Sequence, residues 1–220
     1  MRSLTLLRTV IRLNVVMTGV LCLYAQDTRP KEAQGLPPRV SAAEYQAQAK
    51  AGVVTIAAEF ARHSVPTAQG TLSTEEFVVV ETGLFGPPEA RMQISLDDFQ
   101  LRINGKKTPL RSEPFGLVQP TLKDPEWAPP EPAAQPKSKT SIGGSGRGEP
   151  NSPPPVVHIP LEVQRSMAQR VQKASLPLGD RLLPQAGLLF FPYRGKTEKI
   201  TSIELIYSGS AGKATLTLQP

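Results

Sequence analysis

Residues 92–110 read MQISLDDFQLRINGKKTPL, and the middle of this stretch decides the class of the fold. Phe99, Leu101 and Ile103 take every second position, with Gln100 and Arg102 between them. A strand sends successive side chains to opposite faces, so this spacing puts three large apolar groups on one side and polar groups on the other. Asn104-Gly105 follows directly, and both residue types tolerate the positive backbone angles of a two-residue hairpin turn. The chain is expected to double back here as antiparallel sheet. Asp97 and Asp98 separate QISL from FQLRI; because Asp readily occupies turns, a turn or bulge is expected at that point.

The same period recurs on either side. In VVTIAAEFAR (53–62), Val54, Ile56, Ala58 and Phe60 alternate with Thr55, Ala57 and Glu59. EEFVVVETGLF (75–85) and AGLLFFPY (186–193) are more continuously apolar strands. In ITSIELIYSGSAGKATLTLQ (200–219), Ile203, Leu205 and Tyr207 share one face, SGSAG makes a turn, and Leu216 and Leu218 share a face on the return, which gives a C-terminal hairpin. One helix is expected over 160–175, with Pro160 at its start, Leu161, Met167, Ala168 and Val171 along one face and basic residues toward its end. Residues 41–52 support two readings: Ser41 with Glu44 suggests a capping box, whereas Tyr45, Ala47 and Ala49 alternate with polar neighbours.

Two segments stand apart by composition. Residues 125–155 contain nine prolines and four glycines in 31 positions, with almost nothing aliphatic to bury. Such a segment cannot repay the entropy of ordering and is expected to be a disordered linker. Residues 26–40 read the same way. Roughly seven strands then remain, drawn from 41–124 and from 156–220, and neither set is large enough to close a core alone. The fold class expected is therefore mainly all-β: one antiparallel β-sandwich with a long Pro/Gly-rich insertion and one short helix packed at an edge or end of the sheets. The insertion costs little, since loop entropy grows by only about 0.6 kcal/mol per doubling of length.

The first 25 residues read as a signal peptide. Arg2, Arg8 and Arg12 supply a basic start, LNVVMTGVLCLY supplies an apolar run too short for a comfortable span, and Ala25 offers a cleavage position before Gln26. The protein is then exported, to the periplasm or the extracellular space. Cys22 is the sole cysteine and lies inside the apolar run. A lipid-attachment signal wants a small residue before the cysteine, and here that residue is Leu21. Membrane attachment would require a retained signal or a lipidated Cys22. The mature chain has no disulfide and no thiolate chemistry. Its formal charge falls from +6 to +3 with the three signal arginines, and the remaining Lys and Arg are scattered, which argues against a nucleic-acid partner.

The order FVVVETGLF, ISLDDFQLRINGKK, GLLFFPYRG, ITSIELIY resembles the small immunoglobulin-like domains of bacterial cell-envelope and secreted proteins. The resemblance covers 53–118 and 186–219. It implies an immunoglobulin-like antiparallel sandwich in an extracytoplasmic compartment and carries over no functional residues; the long proline-rich insertion departs from the compact pattern.

The chemical motifs fail on their surroundings. Gly212-Lys213 looks like the end of a phosphate-binding loop, but Tyr207 stands at the first glycine position, Ala214 at the hydroxyl position, and a strand follows where a helix N-terminus is needed. Ser210 and Lys213 fit SxxK, yet a hairpin turn does not give them helical spacing. Asp97 and Asp98 are adjacent, and neighbours in extended chain diverge. His63 and His158 lack ligand-pair spacing and have no cysteine to help. GGSGRG has Arg147 where a nucleophile elbow needs glycine. No catalytic residue, cofactor or metal site is therefore expected. The candidate interaction residues are Trp127, isolated among prolines, and Phe191, Tyr193 and Arg194 in FFPYRGK, since aromatics and Arg are common at interface hot spots. The expected function is that of a noncatalytic binding or structural module of the cell envelope, not an enzyme, contacting an envelope protein or cell-wall component. The alternatives are an N-terminally anchored envelope protein and an exported hydrolase using Asp97, Asp98 or His158.

Overall fold

The apolar runs 75–85 and 186–193 form neighbouring strands of one sheet. The computed structural model describes residues 34–128 and 159–220. The strands before the linker are β1 Ala47–Ala51, β2 Val54–Arg62, β3 Ser64–Thr67, β4 Gly70–Thr74, β5 Phe77–Phe85, β6 Arg91–Ile94, β7 Phe99–Ile103, β8 Leu110–Arg111 and β9 Leu122–Lys123. After it come β10 Gly179–Leu182, β11 Gln185–Pro192, β12 Ile203–Gly209 and β13 Gly212–Leu218. The helices are the single turn α1, Phe115–Val118, and α2, Leu161–Ala174. The fold is mainly β, and every paired ladder is antiparallel.

Two four-stranded sheets carry the architecture, in the orders β1-β2-β5-β11 and β13-β12-β7-β8. Each takes strands from both sides of the linker, so neither of these two sheets is complete within one half of the chain. Their facing side chains form one hydrophobic cluster: Ile56, Val80, Leu84, Leu189 and Phe191 from the first sheet meet Phe99, Leu101, Ile203, Leu205 and Tyr207 from the second. The register places Leu101 opposite Leu205 and Phe99 opposite Tyr207, as the two-residue period requires.

The first sheet is buried on its other face as well. Phe77, Val79, Leu188 and Phe190 join Met167, Val171 and Ala174 of α2, together with Val65 and Leu72 from the small sheet β3-β4-β9. This explains the continuous runs: strands covered on both faces gain by being apolar at every position. It also corrects the expected place of the helix, which lies over a sheet face and not at an edge. Leu161, read as part of its apolar face, is exposed; the buried positions are Met167, Val171 and Ala174.

The free edge of β11 is closed by three separate segments. The outward carbonyls of Ala186, Leu188 and Phe190 accept from the N–H groups of Leu36, Leu176 and Glu113, at 2.9, 3.1 and 2.8 Å. An unpaired edge invites pairing with another chain, and these contacts remove most of that opportunity. At the opposite border β13 runs beside β1, where Gln46 Nε2 donates to the Gln219 carbonyl and Arg62 Nη2 to that of Pro220.

Asn104 and Gly105 have φ of 52° and 63°, and the Lys106 N–H donates to the Ile103 carbonyl, so the tight turn forms. The ladder resumes only at Leu101 opposite Leu110, leaving a longer loop than a two-residue hairpin. Asp98 closes a 3-10 turn over Leu96–Asp98. Residues 41–52 use both readings in turn, a 3-10 turn at Ala42–Glu44 and then β1, although Ser41 makes no side-chain cap. The part of the 26–40 segment that is described, 34–40, is held by the Leu36 bridge and by Arg39, against the expected disorder. The first four residues of the expected linker are described too, Trp127 N–H donating to the Asp124 carbonyl in a turn; residues 129–155, like the signal segment, lie outside the described residues.

Candidate functional site

The strands β5, β7, β8 and β11 all meet one end of the molecule, and their ends surround an open cleft of about 670 Å³. Phe77 opens β5, Ile103 ends β7, Leu110 opens β8 and Pro192 ends β11, which gives the cleft an apolar interior. Its rim comes from two loops: Lys106 and Thr108 between β7 and β8, and Tyr193, Arg194 and Gly195 after β11. Glu76 lies between them and pairs with Arg194 at 2.8 Å, in contact with solvent.

The rim loops are held from behind. His63 sets Nδ1 2.7 Å from the Phe77 carbonyl oxygen and Nε2 3.2 Å from that of Gly195, and its ring stacks on Tyr193. Both nitrogens face backbone, so this histidine acts as a brace between β5 and the rim. Gly195 lets the Tyr193 ring lie against the loop: a Cβ there would fall 2.6 Å from the Tyr193 ring and hydroxyl and would push that side chain aside. The second loop is fixed through Asn104, whose Oδ1 accepts from the Thr201 and Ser202 N–H groups at 2.7 and 3.3 Å while Nδ2 donates to the Lys199 carbonyl.

Of the candidate interaction residues, Tyr193 and Arg194 line this cleft. Phe191 does not contribute to a surface. It points into the core between the sheets with no exposed area, because one residue's shift along a strand reverses the face. Trp127 is half-buried in the turn after β9 and is not part of the cleft. The cleft residues missed in the sequence, Phe77, Ile103 and Leu110, look like ordinary strand positions. Lys106 and Thr108 carried only a turn signal.

The candidate chemical groups are dispersed. Asp97 is exposed, and Asp98 accepts from the Ser95 N–H at the far end of β7 from the cleft. Burial pushes the Asp98 carboxyl above its ordinary value, with the nearby Asp97 charge adding to the shift and the Ser95 hydrogen bond opposing it. His63 is at the cleft end and His158 lies outside the described residues. Ser210 Oγ donates to the Gln93 carbonyl within the β12–β13 turn, and Lys213 is exposed at the start of β13. Among the described residues no group of three His, Cys, Asp or Glu is placed to hold a metal, and no helix is long and apolar enough to cross a membrane.

A comparison with protein-family models, curated proteins and solved structures finds no match for this chain.

Proposed function

We propose that the protein is an exported, noncatalytic binding module of the bacterial cell envelope, and that the cleft at Phe77, Leu110 and Tyr193 is its contact site. One observation carries the reading: Tyr193 and Arg194 stand on a braced loop at the rim of an apolar hollow. Loops at one end of a rigid β scaffold are common places for recognition, because the scaffold fixes them and the chain between is free to vary. The signal-like first 25 residues support export. Two four-stranded sheets around a shared core support an immunoglobulin-like arrangement, to which the helical layer and the closed β11 edge are additions.

The test places a photo-crosslinking residue at Tyr193 and, as a control, at Lys213 near the other end of the molecule. In the native envelope, position 193 should give a discrete adduct with an envelope protein or cell-wall fragment and position 213 should not. Equal adducts from both positions, or none from 193, would remove the basis for the site. Mass spectrometry of the mature N-terminus tests export separately: a chain beginning at Gln26 supports a cleaved signal, and an intact or Cys22-modified one supports anchoring.

A further inference from the structure

The cleft described above has an unbalanced charge. Arg194 pairs with Glu76 at 2.8 Å through Nη2, and its side chain is 79% exposed, so part of the guanidinium remains free. Lys106 sits on the opposing loop; its backbone N–H closes the turn onto the Ile103 carbonyl, and its ammonium has no hydrogen bond or ion pair among the described residues. The lining therefore carries two cations and one carboxylate around the accessible apolar groups of Leu110, Pro192 and Tyr193. A hollow of about 670 Å³ lies within the range of small-molecule sites, roughly 300–1,000 Å³.

Resting on the binding reading of this cleft, we propose that its ligand is a small amphipathic carboxylate, with the charge on Lys106 and the free side of Arg194 and the apolar body along Leu110, Pro192 and Tyr193, which keep accessible surface where Phe77 and Ile103 are buried. A cationic amphiphile would meet Lys106 with like charge. A neutral one would desolvate the lysine without giving it a partner. A dianion would exceed the single surplus charge and face Glu76, which favours a carboxylate over a phosphate monoester. A polyanion needs a track of several cations, and among the described residues the cleft has one lysine whose ammonium is unpaired.

The experiment is calorimetric titration of the mature full chain with dodecanoate below its micelle concentration. Dodecanol and dodecyltrimethylammonium serve as neutral and cationic probes with the same tail. Dodecanoate should bind about tenfold more tightly than either, in line with one charge contact. The preference should shrink as salt rises from about 0.02 M to about 0.5 M, because the rim is exposed. Lys106→Ala lies on an exposed loop and should weaken dodecanoate by about five- to tenfold while leaving dodecanol unchanged. Arg194→Ala also strands Glu76 and should weaken dodecanoate further; Arg194→Lys should restore part of the loss. Equal binding of the three probes, an unaffected Lys106→Ala variant, or no dodecanoate binding would each overturn the assignment. Loss of charge preference with dodecanol binding retained would leave the cleft as a binding surface, whereas failure of the Tyr193 crosslink counts against the binding reading itself.

Discussion

Arg39 holds two carboxylates that the sheet places directly opposite each other, and its removal gives a sharp test of how the N-terminal segment is fixed. Glu59 of β2 and Glu81 of β5 are register partners. Arg39 Nη1 reaches Glu59 Oε2 at 2.6 Å, while Nη2 and Nε reach the two oxygens of Glu81 at 3.0 and 3.2 Å. Its guanidinium also lies 4.3 Å from the centre of the Tyr45 ring. Glu81 is only 15% exposed and Glu59 42%, so the two contacts differ in how far solvent screens them. The Glu81 fork should contribute about 1–2 kcal/mol and the Glu59 contact about 0.5 kcal/mol. Freeing two opposed carboxylates adds about 0.5–1 kcal/mol of repulsion. Arg39→Ala is therefore expected to destabilise the protein by about 2–3.5 kcal/mol. In urea unfolding followed by circular dichroism, a slope of about 2 kcal/mol/M turns this into a midpoint shift of about 1–1.8 M. The same substitution in a Glu59→Gln/Glu81→Gln background should cost less than about 1 kcal/mol, since the repulsion is gone and the hydrogen bonds are neutral. A loss below about 0.5 kcal/mol, or an equal loss in both backgrounds, would refute the argument and assign the cluster to ordinary surface pairs.

Four further outcomes are expected. Phe190→Ala and Phe191→Ala should each cost about 3–5 kcal/mol by chemical denaturation, because adjacent residues of β11 are buried on opposite faces; a sheet covered on one side would tolerate one of them. Gly187→Ala should destabilise at least as much or prevent folding, since its Cβ would fall 2.4 Å from Leu176 Cα, a backbone atom that cannot rotate away. Thr82→Val should raise stability by about 1 kcal/mol in the same assay, because the buried Thr82 hydroxyl has no hydrogen-bond partner among the described residues. For Asp98 the folded carboxyl is raised above its ordinary 3.8, so the native state binds that proton more tightly than the unfolded one. Its contribution is present at low pH and is lost as pH rises through the unfolded and then the folded value. Asp98→Asn should therefore gain on wild type between pH 3 and pH 7, as read from parallel unfolding midpoints, and a constant difference would contradict the assignment.

The strands were legible wherever one face is buried and the other is wet. Phe99, Leu101 and Ile103, like Ile203, Leu205 and Tyr207, point inward as their period requires. VVV in β5 and LLFF in β11 carried a second message, burial on both faces, which periodicity cannot express because it vanishes when every position is apolar. The partner for the second face, α2, was recognisable as a helix, but its placement depends on which sheet lacks a cover. Leu161 shows the same limit: it fits the helical stripe, yet the stripe runs past the layer beneath it and leaves this residue exposed. Short strands such as β8 and β9 have two residues each and no period to read. In the cleft, Tyr193 and Arg194 stood out by residue type, whereas Lys106, Phe77 and Leu110 belong to it only through register. Their proximity follows from β5, β7, β8 and β11 ending together.

Much of the first sheet is covered by other parts of the chain. The first sheet has one face on the shared core and the other under α2 and the small sheet, and its β11 edge is capped at three successive outward carbonyls. At the end of β7 away from the cleft, Tyr207 Oη accepts from the Ala211 N–H, and the Ala211 carbonyl approaches so closely that a Cβ on Gly52 would fall 2.6 Å from it. That end is sealed by backbone packing and offers little depth. The solvent face of the second sheet carries alternating polar groups, among them the Arg102–Glu204 pair at 2.8 Å, which already satisfy one another. At the cleft end Leu110 and Tyr193 are only partly covered, the Lys106 ammonium has no partner among the described residues, and the loops are pinned by His63 and Asn104. Recognition needs surface whose interactions are incomplete in the free protein and whose geometry is already set. The Tyr193–Lys106 cleft combines both properties.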